Sequence, residues 1–191
     1  SREGTVVDAD NLIKEVQDLV KKELTSREKI SKKELESRSL KIALSAIKYF
    51  LLKVDSKKNM LFNPKESISF EGDTGPYLLY SYARASSILR KSKNKLNKNN
   101  FQIKNISEHE LKLIKKLSEF PEIILRAYKN LNPSLIANYS YQLAQIFNEF
   151  YHSCPVIGSS QEIFRIKLVK SFKQVLESSL YLLGIKTIDK M

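Results

Sequence analysis

Apolar residues recur at helical spacing along most of this chain, and only five glycines and five prolines among 191 residues interrupt them. That pattern constrains the fold to helices. Over residues 161–183, Ile163, Ile166, Val169, Val175, Leu176, Leu180 and Leu183 share one face, and Gly184 supplies the left-handed residue that ends a helix. Ser31 and Glu34 make a capping-box pattern ahead of Leu35, Ala43, Leu44, Ile47, Phe50, Leu51 and Val54. Ser107 and Glu110 repeat it ahead of Leu111, Ile114 and Leu117. Asp10 is placed to cap a first helix carrying Leu12, Ile13, Val16, Leu19 and Val20, while Pro121 and Pro133 suit the first turns of helices over 122–130 and 134–152. Residues 55–69 lack the period and read as a loop, with a short extended piece at Ile68 and Phe70. The fold class expected is all-α, a helical bundle of about seven helices with no internal repeat.

A chain of this length buries roughly 70% of its unfolded surface and needs no cross-link to fold. Its single cysteine, Cys154, can form no intramolecular bridge, so a reducing, cytoplasmic setting is expected. With His109 and His152 the only histidines, no zinc site is expected. There is no G-x-x-x-x-G-K-[ST] loop, no H-E-x-x-H helix and no cysteine with a base beside it. The carboxylate pairs Glu34 with Glu36 and Glu108 with Glu110 fit helix caps and exposed faces, and no catalytic residue is assigned. No apolar run reaches the ~18 residues that cross a bilayer, so no membrane partner is expected.

The formal charge of +12 and a pI near 9.6 point instead to a polyanion. Between Thr74 and Ser107 there is no acidic residue, and Arg84, Arg90, Lys91, Lys93, Lys95, Lys98 and Lys104 all fall there. This run continues directly from residues 70–84, FEGDTGPYLLYSYAR. Asp73 and Thr74 can cap a helix start, and Pro76 has the fixed φ of a first turn. Tyr77, Tyr80 and Arg84 then recur at i, i+3 and i+7, placing two rings and a guanidinium on one face. Rings stack on unpaired bases and guanidinium pairs with phosphate, so the combination suits a single-stranded RNA loop.

The same stretch closely resembles the F-E-G-D-T-G-P-Y-L-x-Y segment of arginyl-tRNA synthetases, at the entrance to their helical anticodon-binding domain. The opening SREGTVVDADNLIKEV is similar to the segment just after the Lys-Met-Ser loop of that class I family, and the closing LLGIKTIDKM to its C-terminus. The resemblance implies a DALR-type anticodon-binding domain over 31–191, preceded over 1–30 by the end of a catalytic domain. It implies a fragment of a longer, monomeric, cytoplasmic enzyme that joins arginine to its tRNA using ATP with Mg. No cofactor is expected in this portion, which is expected to be inactive alone. Ser1 and Arg2 match the end of the nucleotide loop, whose lysine and methionine this chain does not contain.

The resemblance also implies an RNA-contacting role for Tyr80, with Arg84 one turn further along. Tyr151, in FNEFYHSCPVI, matches an aromatic that closes a helix beneath the anticodon, and Met191 matches a terminal methionine that folds back toward the loop. Tyr77, Arg90, Lys91, Lys93 and Lys95 complete the tRNA-binding set. Each has a plainer reading: the tyrosines as packing residues, the lysines as a solvated run, Met191 as a loose tail. Two other functions stay open, a stand-alone helical tRNA-binding protein and a helical protein-interaction module.

Overall fold

The structure, a computed structural model, describes residues 8–27, 29–92 and 105–191. Among them are seven helices of ten residues or more and one of four, with no strand. They are α1 (Ala9–Arg27), α2 (Lys32–Leu52), α3 (Pro64–Ser67), α4 (Gly75–Lys91), α5 (Glu108–Ser118), α6 (Phe120–Lys129), α7 (Ser134–Ser153) and α8 (Glu162–Leu182). Helix α1 packs on α2, α2 on α4, α4 on α8, and α8 on α7, which also carries α5 and α6. The buried faces merge into one core, with Val16 and Val20 of α1, Ile42 of α2, Leu79 of α4, Leu143 of α7 and Leu176 of α8 all excluded from solvent. At its centre Phe147 and Phe172 stack with centroids 3.7 Å apart.

The caps obey local chemistry. Ser31 Oγ accepts from the Glu34 amide, and Ser107 with Glu110 forms the complete reciprocal box. At the last helix, Gly184 takes φ +66°, which a residue with a Cβ adopts only with strain.

Four expectations need correction. Asp10 does not cap α1: it lies inside the helix, and its amide donates to Asp8 Oδ1 at 3.0 Å. Residues 68 and 70 form no strand, because Asn63 caps the α3 turn through its side chain and Pro64 opens it. Asp73 does not cap α4; Thr74 does, accepting from the Tyr77 amide at 3.2 Å, while Asp73 accepts from the Tyr49 hydroxyl and pairs with Lys53 Nζ at 3.2 Å. Burial, with that hydrogen bond, pushes the Tyr49 hydroxyl far above its ordinary pKa, so it stays a donor. Glu110 lies on no exposed face: it is fully buried, with Oε2 on the Ser107 amide at 2.7 Å and Oε1 on Arg165 Nε at 2.7 Å.

A candidate nucleic-acid interface

The seat of α4 aims the site. A Cβ on Gly75 would lie 2.2 Å from the Ser45 carbonyl oxygen, so only glycine lets the start of α4 approach the α2 backbone this closely. Tyr49 on α2 and Lys53 at its C-terminal end hold Asp73, and Thr74 fixes the first turn. With Leu78, Leu79, Tyr82 and Ala85 facing the core, the helical period turns Tyr77, Tyr80 and Arg84 the other way, toward α7.

There Arg84 becomes the hub of a polar network. Its Nη1 donates to Asn148 Oδ1, and its Nη2 donates to the Tyr80 hydroxyl at 2.9 Å. The guanidinium carbon sits 4.7 Å from the Tyr80 ring centroid and 4.9 Å from that of Tyr151, within cation–π range of both. Asn148 Nδ2 in turn donates to the Tyr77 hydroxyl at 2.8 Å and to Ser81 Oγ at 3.0 Å. Among the described residues every hydrogen-bond partner of Arg84 is neutral and no carboxylate pairs with it. Its positive charge is oriented without being cancelled.

Tyr80 and Arg84 form the wall between two open clefts. One, of about 520 Å³, runs past Tyr151, Lys91 and Val156 to Met191. The other, of about 600 Å³, extends the opposite way past Tyr77 and Asn148 to Phe70 and Arg27. Tyr80 and Tyr151 are 37% and 38% exposed, so part of each residue is open to solvent beside the charge. Such a surface can stack bases and hold phosphate.

The C-terminal tail completes the first cleft. Residues 184–191 are not helical, yet Ile185 and Ile188 are buried, and Lys48 Nζ donates to the Gly184 carbonyl. Asp189 accepts from Ser86 Oγ at 2.8 Å and from Lys173 Nζ at 3.1 Å, and its carbonyl accepts from Arg90 Nη1 at 3.0 Å.

Tyr80, Arg84, Lys91, Tyr151 and Met191 thus line one cleft, and Tyr77 borders the other. Tyr77 is partly buried, edge-on to Tyr141 at 5.7 Å, so packing takes up much of its ring. Arg90 is not brought to the cleft: it turns to the tail. Lys93, Lys95, Ser1 and Arg2 lie outside the described residues. Phe147 and Phe150 are core, as expected, whereas Tyr151 leaves that cluster for the surface. Sequence reasoning missed Asn148, although Tyr141 and Asn148 stand seven apart on one α7 face, and it missed Asp189.

The model of the DALR anticodon binding domain matches residues 78–191, which hold the whole Tyr80, Arg84, Asn148, Tyr151 and Met191 constellation. The chain belongs to that family. The arginine–tRNA ligase of Flavobacterium psychrophilum is 40% identical over 202 residues, covering 100% of this chain and 32% of its own length. That of Borrelia duttonii is 43% identical over 197 residues, covering 100% and 33%. The crystal structure of arginyl-tRNA synthetase from Plasmodium falciparum superposes with a TM-score of 0.87 at 31% identity, covering 97% of this chain and 34% of that one. The chain therefore spans about a third of the length of the curated relatives it matches. The DALR family assignment agrees with an all-α bundle, and no described helix is long and apolar enough to cross a membrane.

Proposed function

We propose that this chain binds the anticodon stem-loop of arginine tRNA as the tRNA-holding part of an arginine–tRNA ligase. The observation that carries the reading is Arg84: a guanidinium held by neutral partners between two half-exposed tyrosine rings keeps its charge for a polyanion and its flanking π-faces for bases. Tyr80, Tyr151 and Met191 engage splayed bases, and Arg84 and Lys91 meet phosphate. Residues 1–30 form the end of the preceding catalytic domain and 31–191 the binding domain. The whole protein joins arginine to its tRNA with ATP and Mg, acting as a cytoplasmic monomer. None of the described residues forms a group of three or more potential metal ligands, and no step through ATP is assigned to this chain.

The test is a titration of the 191-residue chain with arginine tRNA, an unrelated tRNA and the isolated anticodon stem-loop across salt. Affinity should fall steeply with salt, by a log–log slope near the number of phosphates neutralised. Arginine tRNA should bind more tightly than the unrelated one. Equal, salt-insensitive affinities would favour the protein-interaction module instead.

A further inference from the structure

We propose that Asp189 is a latch that holds the end of the tail against α4 and α8, so that Met191 forms a wall of the RNA cleft, and that Arg90 acts through this latch and not on RNA. The consequence for RNA rests on the function proposed above; the latch itself rests on geometry. Ile188 is the last fully buried residue of the tail, and Met191 packs only partly against the core. Two residues beyond Asp189 reach about 7 Å, enough for an untethered Met191 to leave the cleft it lines.

What opposes this are three hydrogen bonds that converge on one residue from two helices. Ser86 and Arg90 come from α4, Lys173 from α8, and Lys173 is itself positioned 4.9 Å from the ring centroid of buried Tyr82. The hydrogen bond from Ser86, then that from Lys173, outweighs partial burial and holds the Asp189 carboxyl below its ordinary pKa, which keeps it an acceptor for both. Arg90 takes the backbone carbonyl of the same residue, which fixes the chain direction as well as the side chain. Lys91, one residue further along α4, points into the cleft with Met191. Adjacent basic residues thus divide the work: one positions the tail, the other faces the ligand.

The chain contains only Met60 and Met191, so methyl-labelled methionine gives two NMR signals, one for each. In Asp189→Ala the Met191 methyl should move to its free-chain position and sharpen, with the Met60 signal and the helix content unchanged. Binding of arginine tRNA should weaken about tenfold, the scale of one lost base contact. Deletion of Met191 should cost the same, and the two changes together no more than either alone. Arg90→Ala should reproduce the methyl shift and leave the salt slope alone, whereas a phosphate contact would lower that slope by about one. Arg90→Lys, which keeps a donor, should restore the Met191 signal in part.

An unmoved Met191 methyl in Asp189→Ala, or additive losses in the double variant, overturns the latch. If the unaltered chain fails to bind arginine tRNA, the proposed function falls, and the methyl signals still decide the latch.

Discussion

Arg84 and Arg165 both bridge helices at the rim of the core, and they differ in what holds them. Arg165 on α8 gives its Nε to the Glu110 carboxylate at 2.7 Å and its Nη1 to the Pro155 carbonyl at 2.7 Å. Glu110 is 0% exposed, so the two charges compensate each other at a buried carboxylate. Arg84 on α4 is held by an amide oxygen, a phenol and two ring faces. A guanidinium matched to a buried carboxylate has its charge neutralised for the fold; one matched to neutral acceptors is fixed in direction while its field reaches solvent. Two arginines of similar reach are thereby distinguished by their partners, one paired with a buried carboxylate and the other held by neutral groups.

The contrast between them breaks most visibly at Glu110. Replacing it with Ala leaves Arg165 largely buried without its counter-charge and removes the second half of the Ser107 capping box, so stability should fall by about 3–5 kcal/mol. Denaturant unfolding measures it, and the molecules that remain folded should bind arginine tRNA as before. Acid acts on the same group. Burial alone would raise the Glu110 carboxyl, but hydrogen bonds from Arg165 and Ser107 outweigh it and leave the group below its ordinary range. Its contribution is therefore complete above the unfolded value of about 4.3 and disappears as pH drops through the lower folded value. Glu110→Gln should lose that part of the acid sensitivity. An Ala variant that stayed stable and lost RNA instead would reverse the assignment.

The next effect belongs to Arg84. Arg84→Gln keeps polar contact with Asn148 and removes the charge, so RNA affinity should fall by about 1.5–3 kcal/mol, the range for hydrogen bonds to a charged group. The thermal midpoint should move little. Arg84→Lys restores charge as a point and not as a fork, and should recover only part of the loss. A large stability loss in both, with affinity unchanged, would make Arg84 another Arg165.

How these two arginines differ was only half legible in the sequence. The period from Tyr77 through Tyr80 to Arg84 gave a shared face, because helical geometry is local and sequence spacing is enough to compute it. The complete capping box at Ser107 and Glu110 and the stop at Gly184 were equally local. The burial of Glu110 was not, since its partner stands 55 residues away and nothing in a capping box says which side of a helix end another helix will cover. Asp73 illustrates the same limit: its residue type suits a cap, yet Tyr49 on α2 and Lys53 just beyond it compete for it and win, leaving the cap to Thr74. Arg90 sat in an acid-free run and read as a phosphate contact, but the carbonyl it donates to, that of Asp189, lies 99 positions on. Geometry set within a single helix was legible; contacts that depend on which distant segment arrives were not.

The finest division lies within Tyr80, which both supports Arg84 and offers a ring. Tyr80→Ala removes both and should weaken RNA binding by ~1–3 kcal/mol with helix content unchanged. Tyr80→Phe keeps the stacking face and deletes only the hydroxyl that accepts from Arg84 Nη2, so its cost should be about 0.5–1.5 kcal/mol. Measured in the Arg84→Gln background, the phenylalanine change should cost less than in the native chain, because the charged donor it served is gone. Should Phe cost as much as Ala in every background, the phenol would be the contact and the ring a spacer. A cost for Ala alone, unaltered by Arg84→Gln, would mean that the ring meets RNA independently of the guanidinium it lies against.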